Sequence, residues 1–122
     1  MKAAWIALVC GLAAHALAWA ACVFLLFDTD GSGQTLLESN GMHVIWALLF
    51  PVLLTGIALA ATLLTHVPGA LRLFMTWGPA GVLLGFCLLT GFSIGLWYLP
   101  AGVALIAAAV ADLDRKASLT DA

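Results

Sequence analysis

The chain has 122 residues, of which 65% are hydrophobic and only 8% charged, with a net charge of -2. Its mean hydropathy is +1.17, and there is too little polar material to cover a water-soluble globule, in which about a quarter of residues carry charge. The composition excludes a separate soluble domain, and with no basic block it excludes nucleic acid as a partner.

The first apolar run extends over 3–27 and is long enough to cross a bilayer, since a helix rises about 1.5 Å per residue. Lys2 followed by apolar residues and Ala16-Leu17-Ala18 imitates a secretory leader. Against that reading, the run continues through Cys22 to Phe27, which a mature N-terminus rarely does. Ala4, Ala7, Gly11, His15, Ala18 and Cys22 recur at helical spacing. This small-residue stripe, with Gly11 and Ala18 in it, is expected to face other helices, because small side chains let backbones approach closely in lipid.

An outer loop follows at 28–41. Asp28, Asp30 and Ser32 fall at alternate positions before Gly33, which resembles the front of an EF-hand calcium loop. The bidentate Glu belongs at position twelve, but Glu38 stands at eleven. A solvated Asp/Gly turn is the competing reading, and no metal site is assigned. Asn40-Gly41 reads as a turn into the second helix.

The second span is expected at 42–64 and places Thr55, Ala58, Thr62 and Thr65 on one face. Pro51 removes an amide donor and should loosen the helix. Pro68-Gly69 makes the connection at 65–71. The next apolar run, from Leu73 to Ala111, would be roughly 60 Å long as one helix, about twice a bilayer core. It must fold back, and Thr90-Gly91-Phe92-Ser93 is the best break: Gly91 takes special backbone angles and Ser93 can cap the next helix. This gives spans at 72–90 and 94–111, then a polar tail over 112–122 that is expected to fray. Gly81 and Gly85 have the small-residue spacing of tight helix crossings. Trp97 and Tyr98 are expected at the outer interface, and Pro100 should loosen the last span.

Charge placement tests the four-span arrangement. It puts Lys2, Arg72, Arg115 and Lys116 on one side and Asp28, Asp30 and Glu38 on the other. The positive-inside rule then places both termini in the cytoplasm. Three spans would separate Arg115 and Lys116 from Arg72. The fold expected is an all-α transmembrane antiparallel four-helix bundle.

Few residues could carry chemistry. His15 is the only ionisable residue near the middle of a span, which makes it a functional candidate by default. The second span runs the other way, so Thr55 lies at similar depth, and a His15–Thr55 hydrogen bond is expected. A satisfied structural histidine, a proton relay and a haem ligand are the readings left open. Haem usually needs a second axial ligand at matching depth, whereas His43 and His66 lie near opposite surfaces. No nucleophile–base constellation is visible, and no cofactor is assigned. The three cysteines, Cys10, Cys22 and Cys87, form no CxxC, which counts against a quinone-linked thiol oxidoreductase. The absence of a carboxylate from the spans counts against a proton-coupled transporter of the small multidrug resistance type.

Two segments resemble parts of small bacterial membrane proteins of unknown function: Thr35-Leu36-Leu37-Glu38-Ser39-Asn40-Gly41 before the span with Pro51, and Phe92-Ser93-Ile94-Gly95-Leu96-Trp97-Tyr98-Leu99-Pro100. The resemblance implies a bacterial four-helix membrane protein and brings no activity with it. The expected function is that of a non-enzymatic accessory or assembly subunit surrounded by membrane lipid, contacting a membrane-protein partner or further copies of itself. The alternative is an oligomeric small transporter or channel subunit.

Overall fold

A computed structural model describes residues 2–29, 31–64, 66–90 and 95–120, the last six by backbone alone. It contains four long helices, α1 (Lys2–Phe27), α3 (His43–Leu63), α4 (Gly69–Thr90) and α5 (Gly95–Thr120), and a single-turn helix α2 (Leu36–Asn40). All four long helices are long and apolar enough to cross a membrane.

Local chemistry sets the boundaries. No proline interrupts α1. Thr35 opens α2 with a capping box, its hydroxyl accepting from the Glu38 amide while Glu38 accepts from the Thr35 amide. Gly41 closes α2 at φ +83°, a left-handed backbone that favours glycine. The Leu64 amide still donates to Ala60, and α4 starts directly after Pro68, whose carbonyl accepts from Arg72. The corner residues 91–94, where the sequence places the break and the Ser93 cap, lie outside the described residues. On its far side Gly95 is indispensable for close approach. A Cβ there would stand 2.6 Å from the Cys87 carbonyl oxygen and also strike Thr90 Oγ1.

The long helices form a ring in the order α1, α3, α4, α5. Neighbours pack along their length, α3 and α5 also touch across the middle, and α1 and α4 do not meet. The α1–α5 seam is the most extensive, and both helices bury mainly alanine: Ala7, Ala14 and Ala18 on one, Ala101, Ala108 and Ala109 on the other. Such small side chains permit the close backbone approach that drives association where water is absent. Larger groups, Leu48, Leu83, Leu105 and Tyr98, fill the centre. Leu36 and Leu37 of α2 pack against this core from one end.

The outside is apolar. Trp5, Phe27, Trp46, Phe74, Leu88 and Leu89 are all well exposed. A water-soluble protein rarely displays so continuous an apolar surface, whereas acyl chains would solvate it.

The structure corrects three expectations. Helix α5 runs on to Thr120, so the chain stays helical past Asp112, which is itself buried, where a frayed tail was expected to begin. No Gly or Pro follows Gly102, so nothing stops the helix where its sequence turns polar. Tyr98 is no interfacial anchor: it is 0% exposed and points into the core, while its neighbour Trp97 faces outward and stacks on Phe24 at 4.6 Å. Successive helical residues point about 100° apart, so only one of the pair can take the outer position. Finally, Gly81 and Gly85 make no crossing inside the bundle: among the described residues, and apart from the adjoining backbone of α4 itself, nothing lies within 4 Å of where either Cβ would be. Thr76, Pro79, Ala80, Leu83 and Cys87 occupy the inward face of α4. Gly81 and Gly85 stand two residues either side of Leu83, about 200° around the helix, and so face away.

Candidate functional site

The middle of α1 and α3 holds a short polar chain. His15 Nδ1 lies 3.0 Å from Thr55 Oγ1. The Trp19 indole donates to His15 Nε2 at 3.1 Å, one helical turn along α1. Thr55 in turn donates to the Val52 carbonyl at 2.9 Å. These directions fix the imidazole tautomer. An N–H pointing at Nε2 requires a lone pair there, so Nδ1 carries the hydrogen and donates to Thr55. Both ring nitrogens and the threonine hydroxyl are then satisfied. The ring lies over Gly56, where a Cβ would sit 3.5 Å from the imidazole Cε1, in ordinary van der Waals contact. Thr55 is fully buried and His15 half-buried, with Trp19 on the rim toward the outside.

Gly11 and Ala18, on the same side of α1, are both buried. A Cβ on Gly11 would meet Leu59 Cδ1 at 3.3 Å and Thr62 Oγ1 at 3.8 Å, so this glycine receives α3. The Thr62 hydroxyl donates to the Leu59 carbonyl. Of these bonds His15–Thr55 joins α1 to α3, while those of Trp19 and Thr62 and the Thr55 back-bond lie within their own helices.

A second polar contact joins the first turn of α4 to α5. Arg72 Nη2 donates to Asp112 Oδ1 at 2.9 Å, and Nε lies 3.1 Å from both carboxylate oxygens. Nη1 donates to the Leu64 carbonyl at 3.3 Å. One guanidinium thus joins α4, α5 and the end of α3. The two side chains are only 16% and 11% exposed. Sequence reasoning missed this pair because it assigned Asp112 to the tail. The available signal was that Arg72 and Asp112 end antiparallel spans on the same side.

The third contact crosses the core, where the Tyr98 hydroxyl donates to the Leu48 carbonyl at 2.8 Å. Sequence reading had no signal for this acceptor, since a backbone carbonyl carries no residue signature.

In the candidate calcium loop, Glu38 is engaged in a helix cap. Glu38 Oε2 accepts from the Thr35 amide at 2.8 Å and from its hydroxyl at 3.1 Å, so the carboxylate serves the α2 cap. Asp28 and Ser32 are exposed, and Asp30 lies outside the described residues. Among the described residues no three of His, Cys, Asp or Glu stand together as a metal ion would require. His43 begins α3 and His66 lies in the α3–α4 connection, at opposite ends of the bundle from one another.

Comparison with known proteins found no matching family model, no matching curated protein and no matching solved structure.

Proposed function

We propose that this is a small polytopic protein of the bacterial plasma membrane, with both termini cytoplasmic, acting as a non-enzymatic accessory or assembly subunit through helix–helix contacts. The observation that carries the reading is the outward face of α4. Gly11 and Gly102 are covered by side chains of neighbouring helices, whereas among the described residues no neighbouring helix comes within 4 Å of a Cβ on Gly81 or Gly85. Glycines four apart on a lipid-facing helix favour a close crossing with another helix. Support also comes from the polar groups, since His15, Thr55 and Thr62 are hydrogen-bonded within the α1–α3 seam. The bacterial assignment rests on the resemblance of the α2 and α5 segments, and the orientation on the basic residues.

The test is the mass of the assembly extracted in mild detergent. The wild-type protein should run well above the 12.7 kDa of a single chain, with copies of itself or a larger partner. Gly81→Leu with Gly85→Leu should release the single chain without unfolding it, because both sites have room. A wild-type protein that is monomeric under every mild extraction would contradict the proposal. A homo-oligomer that conducts ions or solutes in liposomes would instead favour a small transporter or channel subunit.

A further inference from the structure

Two of the long-range hydrogen bonds bracket Pro51, which sits buried in the middle of α3. Pro51 has no N–H, so the Ala47 carbonyl, four residues earlier, loses its helix donor, and the ring crowds that turn. The next carbonyl, Leu48, takes the Tyr98 hydroxyl from α5 at 2.8 Å. On the other side of the proline, the Thr55 hydroxyl donates to the Val52 carbonyl, a back-bond that tends to bend helices, while its oxygen is held by His15 of α1. Side chains thus serve backbone acceptors on both sides of the proline.

We propose that Pro51 is a hinge, that the outer half of α3 (residues 43–50) swings about it, and that the Tyr98 hydroxyl is the latch. The inner half is fixed to α1 by His15–Thr55 and by Gly11, which lies against Leu59 and Thr62. The outer half is held by Tyr98–Leu48, by the buried Val44 and Leu48 side chains and by the Phe50 ring, 5.8 Å from that of Phe86. Trp46 is 77% exposed, and an open apolar groove of about 440 Å³, lined by Trp46, Leu49, Phe50, Val52 and Leu53, straddles Pro51. The latch itself is braced, with Cys22 against the Tyr98 hydroxyl and the Phe86 ring edge-on to it at 6.1 Å. Release of Tyr98 frees the turn with the weakest backbone ladder in α3, and the groove changes shape with it.

Hydrogen–deuterium exchange on the full chain in micelles tests this. Tyr98→Phe removes the latch and keeps the ring. It should speed amide exchange over 43–50 by roughly five- to tenfold, the population change that loss of one ordinary hydrogen bond brings, and leave 54–63 unchanged. Pro51→Ala restores the missing donor and should slow exchange over 43–50 below wild type. Equal acceleration of all four long helices in Tyr98→Phe would overturn the hinge, because the tyrosine would then support the bundle as a whole. So would an unchanged rate over 43–50 in Pro51→Ala, which decides the matter alone if Tyr98→Phe fails to fold.

Discussion

His15 illustrates how little freedom a polar group keeps inside an apolar helix. Trp19 occupies one nitrogen and Thr55 the other. Leaving either partner unmatched in lipid costs more than the bond's net worth. Interhelical hydrogen bonds in membrane proteins contribute about 0.6–2 kcal/mol. A double-mutant cycle with His15→Ala and Thr55→Val, read by denaturation in mixed micelles, should therefore give a coupling of about 1 kcal/mol; zero coupling would mean the contact does not hold α1 to α3. The pair could be read from sequence, because a lone histidine in an alanine stripe has to find a partner, and antiparallel depth matching singles out Thr55. Tyr98 could not. Next to Trp97 it looks like half of an aromatic anchor, and which of the two turns inward depends on the rotation at which α5 leaves its corner at Gly95.

At the scale of elements, the helix starts and stops were legible where the chemistry is local. Asn40-Gly41 and Pro68-Gly69 each mark a boundary within a few residues of the observed one, whereas α2 falls inside the stretch read as an outer loop. The end of α5 was not legible, because a change from apolar to charged residues marks where a helix leaves lipid and not where it stops. Its continuation places Asp112 on a rigid element opposite Arg72. Removing one partner leaves a poorly solvated charge, which costs more than removing both. Asp112→Leu should destabilise the bundle by about 2 kcal/mol, and Arg72→Met combined with Asp112→Leu should recover most of that loss. Denaturant titration of the three proteins checks the order. A double variant less stable than Asp112→Leu would show that Arg72 acts mainly through the Leu64 carbonyl.

For the whole molecule, the ring order explains what is inside and what is left over. Alanine-lined α1 and α5 approach closely, the larger side chains meet where α3 touches α5, and α1 and α4 stand at opposite corners. A face of α4 is thereby turned outward with its glycines open. The number of long helices followed from length and charge, yet the ring order did not, since four antiparallel helices with short connections can close in more than one way. Nor did the outward rotation of Gly81 and Gly85, because the same spacing serves contacts within a bundle or between bundles.

Everything built on this arrangement depends on the chain crossing the bilayer four times with its basic ends in the cytoplasm. Single cysteines at Ser39 and at His66, in a background with Cys10, Cys22 and Cys87 replaced, test it most directly. In intact cells a membrane-impermeant thiol reagent should label Ser39→Cys, in the loop before α3, and should reach His66→Cys, between α3 and α4, only after permeabilisation. Labelling of His66→Cys in intact cells, or equal labelling of both sites before permeabilisation, would contradict the account.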